Sequence, residues 1–220
     1  MRETALIDRS VKALIRQSPP VFFKLVGVDV SPQSIHLGDV SVNTPELRAD
    51  QVFIVREAGA QKGNAAGARR RKSARPKDWA MHLEYVLHPK AIDPENWLVK
   101  NTALNKQLKM PVILSALYLT RGKNRSFPDT YQIEANGLTK DHRFHTIRLW
   151  EHAERIRSGE LKELAPLLVL CEDRPTQKTL QQERELILST DQALQSDLLA
   201  LAFTVGTRYF AVEVLQTVFK

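Results

Sequence analysis

The chain has 220 residues, 43% of them apolar, which suffices for one domain with a substantial core plus a smaller appendage and excludes two full domains. Cys171 is the one cysteine, so neither an internal disulfide nor a multi-cysteine zinc site is available, as expected in a reducing cytoplasm. The net charge of +7 is carried entirely by residues 58–77, AGAQKGNAAGARRRKSARPK, where Lys62, Arg69, Arg70, Arg71, Lys72, Arg75 and Lys77 meet no acid.

The first residues, MRETALIDRS, lack the long apolar segment of a signal peptide, and the longest apolar runs, VILSALYL and LLALAFTV, are far short of a membrane span. A soluble, cytoplasmic protein is expected. Over residues 4–17 the apolar Leu6, Ile7, Val11, Leu14 and Ile15 recur at helical spacing, and Pro19-Pro20 closes that pattern ahead of the apolar VFFKLVGV. A Pro/Gly/Ser-bearing stretch with short alternating pieces, SIHLGDVSV, leads to LRADQVFIVRE, then the basic segment, then DWAMHLEYVLHP. These read as two strands joined by an overlong loop. The loop has no hydrophobic period, so burial cannot offset its ordering entropy. It is either a solubilising surface loop or a contact for phosphate backbone.

Residues 93–109 fit an amphipathic helix starting near Asp93-Pro94, with Trp97, Leu104 and Leu108 along one stripe. Pro111 ends it, and VILSALYL has the pattern of a central strand covered on both faces. Strand, helix, strand predicts a right-handed crossover. Two further strand candidates follow, TYQIEA and HRFHTIRLW, and from Glu151 onward the pattern is helical. The end, DQALQSDLLALAFTV, Gly206, TRYFAVEVLQTVFK, predicts a helical hairpin punctuated by Gly206, with Phe210, Val214 and Val218 as a buried stripe.

Within MHLEYVLHP, residues 81–89, one carboxylate interrupts a run that otherwise reads as a buried strand. Alternation puts Trp79, Met81, Leu83, Tyr85 and Leu87 on one apolar face, and Ala80, His82, Glu84, Val86 and His88 on the other, pointing away from the core towards a surface. Asp50 likewise shares a face with Val52 and Ile54. A hairpin whose loop spans 57–77 is centred on residue 67, which sets Asp50 opposite Glu84. Like charges directly opposed across strands are destabilising unless a raised pKa, a basic neighbour or a divalent cation compensates. Two carboxylates and the backbone carbonyl of Tyr85, with water and phosphate completing the set, is how magnesium is usually held. Two half-exposed acids solvated at a sheet end are the alternative.

The sequence IDRSVKAL, followed by RADQV, HLEY, a helix and an apolar strand, then IRLWE and LKELAPL, resembles the PD-(D/E)XK nuclease superfamily, specifically the recombination-promoting nuclease or transposase-like family common in bacteria. The resemblance spans residues 4–205. It implies a restriction-endonuclease-like αβββαβ core with a mixed sheet over residues 1–150, the basic insertion at 57–77 within it, and a helical extension at 151–220 packed on that core. It also implies cleavage of DNA with magnesium, or manganese in its place, Asp50 and Glu84 matching the two metal-binding acids. Such relatives carry Gln or Lys two residues after the glutamate, where this chain has Val86, which can neither donate a hydrogen bond nor stabilise developing negative charge. They often add an acid from the first helix, where this chain aligns Arg16 beside Gln17, and often continue into a charged helical tail. Lys90, beyond Pro89, is a candidate substitute.

Other chemistries fit poorly. His82, Glu84 and His88 spread too far along one strand to converge on an ion without a bend, and His142 and His145 are expected on opposite faces of a strand. No Pro-Cys-x-x-Cys, P-loop or nucleophile motif is present. Two expectations of function remain. One is a metal-dependent DNA endonuclease whose basic segment grips backbone phosphate, weakened by Val86; the other is a catalytically inactive nuclease-fold module for nucleic-acid binding or assembly. On the first, Val86→Lys or Val86→Gln should raise cleavage. The oligomeric state is open, a homodimer among the options.

Overall fold

The structure is a computed structural model and describes residues 2–38, 50–56, 78–87, 92–123, 126–135 and 138–220. The basic segment at 57–77, with Lys62, Arg69, Arg70, Arg71, Lys72, Arg75 and Lys77, lies outside the described residues, as do Arg48, Ala49, His88 and Lys90.

The amphipathic start of the chain forms α1 (Arg2–Gln17). The prolines that close it also open α2 (Pro19–Leu25), because a proline in the first turn lacks only an N–H that would have no helical partner. Three strands follow, β1 (Ile35–Leu37), β2 (Gln51–Val55) and β3 (Trp79–Val86), then α3 (Pro94–Leu108) and β4 (Val112–Tyr118). Strands β5 (Thr130–Ala135) and β6 (Leu138–Arg143) pair with each other as a separate antiparallel ribbon, and β7 (His145–Arg148) returns to the main sheet. That sheet has the order β1-β2-β3-β4-β7, antiparallel from β1 to β3 and parallel from β3 to β7. The fold is therefore mixed α/β.

The register of the long hairpin matches its loop midpoint: Gln51 lies opposite Leu83, Val52 opposite His82 and Phe53 opposite Met81. HRFHTIRLW, read as one strand, is broken at Phe144, whose ring turns edge-on to Trp97 at 5.7 Å while its amide donates to the carbonyl of Asp129. His142 and His145 consequently lie on β6 and β7 in different sheets, not on two faces of one strand.

Both faces of the sheet are covered. Phe53, Met81, Leu83, Tyr85 and Leu117 share one core with Val11, Leu14 and Ile15 of α1, Phe22 and Phe23 of α2, and the C-terminal elements. Those elements are α4 (Ala153–Arg157), the apolar 3-10 stretch Lys162–Cys171, α5 (Gln177–Leu188), α6 (Gln192–Gly206) and α7 (Val212–Phe219). Gly206 ends α6 from within and is not a break. A Cβ there would stand 2.7 Å from Leu215 Cδ2, so its bareness admits α7. Leu215 and Val218 are buried, whereas Phe210 and Val214 are half-buried. On the opposite face α3 covers Val52, Ala80 and Val112 with Leu104, and Val86, Leu114, Ala116 and Tyr118 with Trp97. The face of β3 that carries Glu84 is thus a second interior and not a surface.

Helix α3 is fixed at both ends. The Asp93 side chain accepts from the amide of Asn96, capping the first turn. At the other end Asn101 Nδ2 donates to the carbonyl of Val112 and Asn105 Oδ1 accepts from its amide, which fastens the helix to β4. Lys109 closes the helix in the left-handed region, φ 53°, which costs a side-chain-bearing residue on the order of 1 kcal/mol. Lys109→Gly is expected to raise stability by about that much in urea unfolding monitored by circular dichroism. No helix among the described residues is long and apolar enough to cross a membrane.

Candidate functional site

Glu84 is 3% exposed and His82 fully buried, both beneath α3. An isolated carboxylate there would be strongly disfavoured, and the surroundings compensate it. His82 Nε2 lies 2.7 Å from Glu84 Oε1; a carboxylate only accepts, so this nitrogen carries the proton. Lys100 Nζ reaches both carboxylate oxygens, at 3.0 and 3.2 Å. Burial by itself pushes Glu84 upward, but the His82 hydrogen bond and the charges of His82 and Lys100 outweigh it and hold the group below the usual glutamate range.

Asp50 stands in the bend just before β2, one step beyond the last paired residue. Its Oδ2 accepts from the amide of Tyr85 at 3.3 Å, and Lys12 Nζ of α1 lies 3.6 Å from its Oδ1. Lys12 also sits 5.5 Å above the Tyr85 ring. The N–H and C=O of one strand residue face the same neighbour, so the Tyr85 carbonyl is directed towards the Asp50 side of β3 as well. Burial first, and then the charge of Glu84, push the Asp50 carboxyl up to about 6, against the lowering influence of Lys12, the Tyr85 amide and Lys100. The two acids therefore feel each other, as the hairpin register requires. Glu84 is largely compensated and Asp50 is not.

These residues suit a hard divalent cation. Two carboxylates and a backbone carbonyl are oxygen donors of the kind magnesium takes, and a cation between the acids would relieve the Glu84 repulsion that adds to burial in raising Asp50. Lys100 now supplies the positive charge at Glu84. Among the described residues no group of three or more His, Cys, Asp or Glu side chains is arranged to hold a metal. His82 Nε2 bonds Glu84 directly, and His88 lies outside the described residues.

Lys100 was missed in the sequence. It falls three residues after Trp97 and four before Leu104, on the buried stripe of α3, and a lysine on such a stripe marks a charge with a buried partner. Val86, two residues beyond Glu84, is 3% exposed and packs with Trp97 and Tyr118, so this position is apolar interior. Arg16 directs its Nε to Gln51 Oε1 at 3.5 Å, and Gln17 donates to Asp197 at 2.6 Å, tying α1 to α6. Helix α1 thus gives the site Lys12 and no acid from the aligned position.

No family model, curated protein or solved structure matches the chain.

Proposed function

We propose that the chain is a metal-dependent DNA endonuclease of the PD-(D/E)XK type, hydrolysing phosphodiester bonds with magnesium or manganese held by Asp50, Glu84 and the Tyr85 carbonyl. The observation that carries this reading is that Asp50 accepts from the amide of Tyr85, the residue next to Glu84 on β3, while the Glu84 carboxylate pairs with Lys100 of α3. The order of two helices, three strands, a helix and a strand, with a mixed sheet, is compatible with it.

A cation held by Asp50, Glu84 and the Tyr85 carbonyl would supply positive charge against the scissile phosphate and would acidify a water. Before a cation binds, Glu84 is held ionised by His82 and Lys100, and His82 fixes its orientation. Lys100, released from Glu84, holds the attacking water and stabilises the negative charge that builds on the phosphoryl oxygens, in the role the residue at 86 cannot fill. The asparagines that fasten α3 to β4 keep this lysine at the correct height. The basic segment at 57–77 supplies sequence-independent grip on backbone phosphate, so binding weakens steeply as salt rises. Val86 favours the alternative, a nucleic-acid-binding or assembly module without turnover.

Plasmid nicking with and without Mg²⁺ or Mn²⁺ separates the two. Wild type nicks only with metal, and Glu84→Gln loses at least 100-fold; nicking by purified Glu84→Gln at the wild-type rate would reject the site. Glutamine is the informative substitution because Glu84→Ala strands the Lys100 ammonium in the interior. That variant is expected to lose about 3–5 kcal/mol in urea unfolding.

A further inference from the structure

A broad cleft of about 1050 Å³ opens beyond the C-terminal ends of β4 and β7, lined by Arg121, Lys123, Phe127, Arg148, Trp150 and Asp173 among others. Strands β3, β4 and β7 run parallel, with Val86 beside Tyr118 and Tyr118 beside Arg148. Neighbours in register share a face, so Arg148 projects to the same side of the sheet as Val86 and Glu84. Arg148 stands two strands from Val86, about 10 Å across, and Glu84 is about 7 Å back along β3. The cleft therefore lies on the sheet face that carries Glu84, at the C-terminal ends of the parallel strands.

The lining is an aromatic platform rimmed by cations. Phe127 and Trp150 are half-buried, their rings 4.8 Å apart, and Tyr118 meets Phe127 edge-on at 5.1 Å. The platform is pinned from below: the carbonyl of Pro128 accepts from Tyr118 Oη and from Thr146 Oγ1, each at 3.1 Å. The Arg148 guanidinium lies 5.8 Å from the Phe127 ring and spends one edge on Glu151, at 3.1 Å. Arg121 and Lys123 stand exposed at the rim, and Asp173 is the other acid of the lining. With Glu151 taken up by Arg148, the balance of charge is positive.

Half-exposed rings beside cations are the combination that holds unpaired bases, because every base offers a π-face for stacking and every nucleotide brings a phosphate. A base inside a duplex offers no such face. We propose that this cleft takes an unpaired nucleotide of the DNA flanking the scissile phosphate, so that the substrate class is single-stranded DNA or DNA with a single-stranded segment next to the cut. The position of the cut rests on the endonuclease reading; the binding itself does not.

The test is fluorescence anisotropy in EDTA, where no cleavage occurs, with a short labelled single-stranded oligodeoxynucleotide and its duplex at several salt concentrations. Wild type binds the single strand more tightly than the duplex, and Trp150→Ala weakens single-strand binding roughly tenfold while duplex binding is unchanged. The exposed pair Arg121→Glu/Lys123→Glu, which leaves the core untouched, weakens it several-fold and lowers the slope of log Kd against log salt by about 0.7 per lost phosphate contact. Asp50→Asn, outside the cleft, binds the single strand as wild type does. Equal binding of single strand and duplex by wild type would overturn the cleft assignment, as would unchanged affinity in the rim variant or tighter binding of the matching oligoribonucleotide. Loss of nicking in Asp50→Asn with single-strand binding intact supports both readings, whereas absence of nicking in wild type with single-strand binding intact rejects the endonuclease and keeps the cleft.

Discussion

Asp50→Asn is expected to abolish metal-dependent cleavage and yet to make the protein more stable at neutral pH. The Asp50 carboxyl is pushed from 3.8 to about 6 by burial and by Glu84, so the folded chain binds this proton more tightly than the unfolded chain. Stability contributed by the protonated acid is complete below the unfolded pKa and declines as pH rises through the interval from about 4 to about 6. A displacement of about two units corresponds to on the order of 2–3 kcal/mol. Asparagine keeps an acceptor for the Tyr85 amide and carries no charge, so the variant should unfold at a higher Tm at pH 7 and at nearly the wild-type Tm at pH 4. Magnesium, binding the folded wild type, should raise its Tm and leave that of the variant in place. Such an exchange of stability for function is common where acids are gathered for a cation. A wild-type and a variant melting curve that coincide across this pH range would show that Asp50 is solvated and unstrained.

Lys100→Met should slow cleavage by about 100- to 1000-fold, the usual consequence of losing one group that stabilises transition-state charge. The same substitution should tighten Mn²⁺ binding, because the ammonium at 3.0 Å from Glu84 is the cation a metal has to displace. Tighter metal with slower turnover is a pairing that a merely structural lysine would not produce. Isothermal titration in the absence of DNA reads the first effect and single-turnover nicking the second. If both fall together, Lys100 serves the fold and not the chemistry. Val86→Lys, by contrast, should bring no gain in cleavage. Its ammonium would be forced among Trp97, Leu114 and Tyr118, where nothing offsets its desolvation.

The sequence made the hairpin legible because period-2 alternation and a single loop fix both face and register. Gln51 opposite Leu83 follows from the loop midpoint alone. It also isolated Asp50 and Glu84, since a lone carboxylate in an apolar strand has few physical explanations. What it concealed was the depth of that face. His82 and Glu84 look like surface residues in a one-sided alternation, and only the docking of α3 through Trp97, Lys100 and Leu104 buries them. Parallel strands covered on both sides often lose the alternation, but here polar residues interrupt the apolar run because they pair with one another. The role of Lys100 was hidden for the same reason. Its partner lies 16 positions away on another element, and spacing within the helix reveals burial but not what is met there. Phe144 likewise ends a strand through a contact with Trp97 that no local pattern encodes.

Anomalous diffraction from a crystal soaked in Mn²⁺ reads directly whether Asp50 and Glu84 hold one cation together. A shared cation gives a single peak about 2.1 Å from a carboxylate oxygen of each acid and from the Tyr85 carbonyl, with the Lys100 ammonium moved off Glu84. A site without a peak at saturating Mn²⁺, with Lys100 still bridging the two oxygens of Glu84, would contradict it.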